Sequence, residues 1–298
     1  MDRKRIAWDG ISFDIPSVFE VSGIDKKFLQ LDNGEQPCIE IRWYDAGNTY
    51  KEKTYFRQLA KKIEAASGIK IESTVLPGSW KKPLDKYDAT GFYWQSDLTS
   101  GRGVMFYCKE ASQVMLVQFI NKCDDCTDEG AVMLFETLKF HNSGTEKPWR
   151  IYDMQANMPV EMKLDSFEFK PGRFILTLAD GNETVSFYRF SPADIILKST
   201  TLGEFSREFF KEDISRLGLS RAELEHKSGA TCMFGQKNKP SRTSLAMARL
   251  NPKKRPFAQI EVRYTHESNR ILAVMVCSRQ ELAEDRAKSI FTNYDIIQ

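Results

Sequence analysis

The chain is poor in the residues from which most active sites are built. Its 298 residues include only three histidines, His141, His226 and His266, which lie far apart and outside any motif. There is no Gly-x-Ser-x-Gly elbow, no His-Glu-x-x-His helix, no EF-hand loop and no phosphate-cradling glycine signature. Nothing in the sequence pairs two carboxylates for acid–base work. The chain therefore reads as a non-enzyme, and no cofactor is expected. No apolar run approaches the ~20 residues that cross a bilayer. The opening MDRKRIAWDG has a basic stretch with no apolar segment behind it, unlike a secretory signal. No membrane insertion and a cytoplasmic location are expected. Charge of one sign is lacking too: 43 Lys and Arg against 41 Asp and Glu leave a formal +2. That balance excludes a globally basic nucleic-acid binder and an acidic solvating tail.

Aromatic and apolar residues, at 12% and 41%, are plentiful enough to fill a sizeable core. The length suits two domains, and the order of elements repeats. WDGISFDIPSVFEV from Trp8 is echoed by WRIYDMQANMPVEM from Trp149. Leu29–Ala46 and Leu176–Ala193 both place Asp and Gly between alternating apolar runs, a hairpin signal. Arg42 then matches Arg189, and Ala46 matches Ala193. An amphipathic stripe of Tyr55, Leu59 and Ile63 ends at Gly68; one of Phe205, Phe209, Phe210, Ile214 and Leu217 ends at Gly218. Tyr87–Gln95 matches Ser228–Gln236 at one fixed offset, and Ala131, Leu134 and Phe135 match Ala287, Ile290 and Phe291. We expect an α+β fold of two tandem repeats, each an antiparallel sheet packed with helices, arranged as an internal pseudo-dimer. The domains run 1–141 and 149–298, with a polar linker at 142–148.

The first half carries Phe13-Asp14-Ile15-Pro16, the hairpin Leu29–Trp43, the helix Tyr55–Ala66, strands between Gly91 and Ile120, and the closing LFETLKF. This order resembles the PsbP-like and DcrB-like group. The resemblance covers nearly all of residues 1–141 and thins in the second half, where the opening has become Asn157-Met158-Pro159. It implies a binding, scaffold or chaperone-adaptor module that works by protein–protein recognition, with no catalytic set to carry over.

Three local features are candidates for chemistry. Cys123-Asp124-Asp125-Cys126 has the spacing of a dithiol redox pair or half a zinc site. The aspartates disfavour thiolate and no second ligand pair exists, so ordinary reduced thiols are the leading reading and redox or metal binding the alternative. From His226 to Ile260 there is no acid, and Lys237, Lys239, Arg242, Lys253, Lys254 and Arg255 read as a cationic hairpin for an acidic protein partner. Nucleic acid is disfavoured because no aromatic lies between Phe234 and Phe257 for base stacking. Tyr93 and Trp94 sit in the run Phe92-Tyr93-Trp94, where strand alternation puts neighbours on opposite faces, so one side is either covered or a binding patch. Gly101-Arg102-Gly103 reads as a hairpin turn.

Overall fold

The computed structural model describes residues 2–46, 51–120, 127–141, 144–222, 231–236, 240–241, 245–246, 248, 250–251, 254–283 and 285–297. The chain divides into two compact units, Met1–Tyr152 and Asp153–Gln298. Both mix helices with antiparallel sheet, and strand predominates.

The first unit runs β1 (Arg3–Trp8), β2 (Ile11–Pro16), β3 (Glu20–Asp25), β4 (Phe28–Asp32), β5 (Pro37–Asp45), α1 (Glu52–Ser67), β6 (Ile71–Thr74) and α2 (Gly78–Leu84). It continues with β7 (Asp88–Gln95), β8 (Ser100–Cys108), β9 (Gln113–Ile120), α3 (Asp128–Thr137), β10 (Lys139–Phe140) and β11 (Glu146–Ile151). Seven strands form a sheet in the order β3-β4-β5-β9-β8-β7-β6. Beside it, β2 pairs with β10 and β1, and β1 with β11. The expected linker thus overlaps a strand: residues 146–148 begin β11, and Trp149 belongs to the first unit. There its ring meets Trp8 edge-on at 5.6 Å.

The second unit runs β12 (Met154–Pro159), β13 (Lys163–Lys170), β14 (Arg173–Ala179), β15 (Glu183–Phe190), α4 (Ala193–Ile196), α5 (Leu202–Phe209), α6 (Lys211–Leu217) and β16 (Leu219–Ala222). Then come β17 (Thr231–Gln236), β18 (Phe257–Thr265), β19 (Arg270–Ser278), α7 (Arg286–Phe291) and β20 (Tyr294–Ile296). Its seven-stranded sheet has the order β13-β14-β15-β19-β18-β17-β16, the same path as the first, and β20 pairs with β12 as β10 does with β2.

Smaller devices recur with that path. The β8–β9 and β18–β19 turns have equal length and end in left-handed residues, Ser112 (φ 51) and Asn269 (φ 52). Ala46 and Ala193 donate to those residues' carbonyls at 2.9 and 3.1 Å. The edge strands β3 and β13 each carry a bulge, between Val21 and Gly23 and between Leu164 and Ser166.

Counted from the shared turn, the ladders set Phe92 level with Phe234, one residue away from the sequence match. Arg42 and Arg189 are likewise one residue out. Arg42 pairs with Leu116, which lies in the helix-facing cluster; Arg189 pairs with Leu272, whose neighbours Ile271 and Ala273 hold that face. A one-residue slip turns a strand over, so their likeness in sequence is not a likeness of place.

Helix α1 ends where expected, with Gly68 at φ 72 and its N–H on the Glu64 carbonyl. Tyr55, Phe56, Leu59 and Ile63 pack over Phe92, Trp94, Met105 and Leu116. Across from those rings the chain has Gly101 and Gly103. They lie inside β8, not in a turn as the sequence suggested; the β7–β8 turn is Ser96–Thr99, closed by a 2.8 Å backbone bond. A Cβ on Gly101 would stand 2.5 Å from the Trp94 ring, and one on Gly103 would stand 2.3 Å from Phe92 and 2.4 Å from the Val117 carbonyl. The glycines make room for the rings. In the second unit the expected single helix breaks at Phe210 (φ −93, ψ 15) into α5 and α6, and its stripe still packs on the sheet.

Gly101→Ala forces the Trp94 ring to move, because the three nearest atoms, at 2.5 to 2.6 Å, belong to that side chain. It should destabilise the protein by about 1–3 kcal/mol. In a Trp94→Leu background the same change should cost less than half as much, which urea denaturation of the four variants will check.

Candidate functional site

Of the site residues expected from sequence, the described ones are Tyr93, Trp94, Lys254 and Arg255. Cys123, Cys126, Lys237, Lys239, Arg242 and Lys253 lie outside the described residues. Where the cationic hairpin was expected, the described residues Leu245, Ala246, Ala248 and Leu250 are helical. Lys254 is exposed, and Arg255 donates to the Asp180 carbonyl at 2.9 Å, tying it to its own unit. Trp94 is 8% exposed under α1, so it is core and not a contact residue. Tyr93, on the opposite face, is exposed and bonds Gln95 at 2.8 Å.

The cysteines also differ from expectation. Cys38, buried in β5, is disulfide-bonded and not a free thiol. Cys108 and Cys277 are thiols; burial pushes Cys277 up to about 11, which keeps it protonated and inert. Among the described residues no His, Cys, Asp and Glu group could hold a metal.

A cavity in the first unit does bring chemistry together. Its volume is about 500 Å³, within the range of ligand sites. Three stretches distant in sequence build it. The end of α2 delivers Lys86 and Tyr87, whose N–H bonds the Leu84 carbonyl at 3.0 Å. The β8–β9 turn delivers Cys108, Lys109, Glu110 and Ala111, and the chain after α3 delivers Leu138, Lys139, Phe140 and His141. Cys108 and Leu138 are buried and form the floor, with Tyr87 and Phe140 half-buried above them. The Tyr87 ring stacks on Phe106 at 4.8 Å and meets Phe140 edge-on at 6.3 Å.

The mouth is cationic. Lys86, Lys109 and Lys139 are exposed, and none forms an ion pair among the described residues. Glu110 is the one carboxylate on the wall among the described residues. Burial, with Cys108 and Glu110 nearby, pushes the Tyr87 hydroxyl up to about 12, so it remains a donor at neutral pH. His141, the last residue of the expected first domain, lines this wall. Its N–H bonds the Gly10 carbonyl, and its Nε2 lies 2.8 Å from Ser12 Oγ. That pair does not make a hydrolase: Ser12 is 2% exposed and does not line the cavity, so its hydroxyl anchors the ring instead of meeting a substrate.

Sequence reasoning passed over all three lysines. Each sits beside an aromatic or a turn at the end of an element, a common surface pattern, and their spacing carries no sign that they converge.

No family model and no curated protein matches the chain. Among solved structures, the immunity protein TplEi of T6SS from Pseudomonas aeruginosa, complexed with "L" peptide, is similar over 99% of this chain and 98% of that chain, at 10% identity and a TM-score of 0.33. Likeness at that level carries no argument about this chain's activity.

Burial, then Lys139, Arg5 and Lys147, hold the His141 pKa below its ordinary 6.5. The unfolded chain therefore takes up this proton at a higher pH than the folded one. The stability linked to a neutral His141 is full above about pH 6.5 and is lost as pH falls below it. His141→Gln should flatten that part of the profile, read as the denaturant midpoint at pH 7.5 against pH 5.

Proposed function

We propose that the protein is a binding module that recognises an acidic partner protein through the cationic cavity of its first unit. One observation carries this reading: three lysines without carboxylate partners among the described residues gather at the mouth of a cavity with an aromatic wall. Unpaired charge around an apolar recess is the arrangement that steers and fixes an oppositely charged group. It replaces the aromatic pair and basic hairpin of the second half as the contact surface.

The chain is, in this reading, a tandem duplication with one working copy. Identical strand order, equal hairpin turns with left-handed ends, and a bulge in each first edge strand support a common plan. At the turn that supplies the cationic wall, however, the second unit has Thr265-His266-Glu267-Ser268 where the first has Cys108-Lys109-Glu110-Ala111. The likeness to the PsbP-like and DcrB-like group contributes the idea of a module acting by its surface. Among the described residues no helix is long and apolar enough to cross a membrane. The half-cystine at Cys38 favours an oxidising compartment over the cytoplasm.

The test is binding of a fluorescent, glutamate-rich peptide with a free C-terminal carboxylate to the full chain at 20 and 300 mM salt. Binding should weaken steeply with salt. Lys109→Glu with Lys139→Glu should lower affinity at least tenfold while leaving the thermal midpoint nearly unchanged, since both side chains are exposed. Absence of binding at low salt, or binding indifferent to both charge reversals, would remove the cavity from the reading.

A further inference from the structure

The cavity is layered, and the layering narrows what it can hold. Its charges stand at the mouth, on the exposed Lys86, Lys109 and Lys139. Its depth is apolar, with Leu138 at 3% and Cys108 at 4% exposure under the rings of Tyr87 and Phe140. An internal Asp or Glu fits this poorly. Its carboxylate is the deepest atom group of the side chain and would be carried toward the apolar floor, where an unpaired charge is costly. The flanking peptide groups, which are neutral, would be left facing the lysines.

A chain terminus reverses that order. The last residue bears its carboxylate and its side chain on the same Cα, so an apolar side chain can fill the floor while the carboxylate stays at the mouth. Lysine suits this task as a mobile point charge with three donors, and three exposed lysines line the cavity. The Tyr87 hydroxyl adds a neutral donor on the wall. Resting on the reading of the cavity as the partner-binding site, we propose that it receives the C-terminal residue of a partner protein, an apolar and preferably aromatic side chain inserted on Leu138 and Phe140 and the terminal carboxylate held by Lys86, Lys109 and Lys139.

Fluorescence anisotropy with the full chain tests this with four probes. These are an octapeptide ending in Phe with a free carboxylate, the same octapeptide amidated, an amidated octapeptide with internal Asp and Glu, and N-acetylphenylalanine as competitor. The free-acid peptide should bind at least tenfold more tightly than its amide, and Lys109→Glu with Lys139→Glu should abolish that difference. Replacing the terminal Phe by Gly should weaken the free acid by a similar factor. Equal affinity of the free acid and the internally acidic amide would overturn the terminal-carboxylate proposal and leave the cationic-cavity reading standing. Competition by N-acetylphenylalanine at the concentration of the octapeptide itself would assign the site to small free acids and overturn the partner terminus. If no probe binds at low salt, both readings fall together.

Discussion

Two aromatic rings lying against two glycines set the geometry of the first unit. Phe92 and Trp94 fold across β8 where Gly103 and Gly101 offer no side chain, and α1 then closes over them. With any larger residue at those positions the rings would stand up from the sheet, and the helix would lose its flat seat. The second unit fills that layer differently. Phe234, level with Phe92, faces Ile260 where Phe92 faces Gly103, and Phe205, Phe209 and Phe210 of the helices meet the strand rings Tyr188 and Phe190 edge-on. Bulk on the strand with space across from it, or rings shared between helix and strand, fills the same layer. Close packing fixes the total volume and leaves open which element supplies it.

That exchange lets the strand order agree between the two units while their side chains differ. The strand path, the hairpin turns and the edge bulges are backbone features, and they agree between the units. The side chains on that plan do not. In the second unit Glu261, 2% exposed, accepts from Arg263 at 2.7 Å, and the half-buried Asp153 accepts from Arg189 and Arg270 at 2.9 and 3.1 Å. These pairs rest on partners within their own unit and fix orientation. The three lysines of the first unit's cavity have no carboxylate partner of that kind among the described residues.

The elements themselves were largely legible. Gly68 and Gly218 stop their helices, and Ala131, Leu134 and Phe135 are buried like Ala287, Ile290 and Phe291. Register was not legible, because neighbouring strand residues are alike in type and differ only in face. Phe92 beside Phe234 was read one place out for that reason, as were Arg42 and Arg189. Helix α2 was missed: GSWKKPL carries a Pro and is only 7 residues long, and it forms because Trp80 is drawn between Phe119 and Phe135. Gly101-x-Gly103 was mistaken for a turn because only the rings across the ladder show why a strand needs glycine there. The cavity was invisible for a related reason. Lys86, Lys109 and Lys139 meet only through the fold, and a lysine at the end of an element is the commonest of surface residues.

The bulges in the outer strands have a consequence for how the protein behaves in a crowded solution. Each seven-stranded sheet ends in one bulged strand, β3 or β13, and one short strand, the four residues of β6 or the four described residues of β16. A bulge breaks the regular row of donors and acceptors that another chain needs for pairing, and four residues offer too short a row to hold one. A net charge of +2 gives the molecule little mutual repulsion. Backbone geometry at these strand margins therefore works against edge-to-edge pairing with another chain.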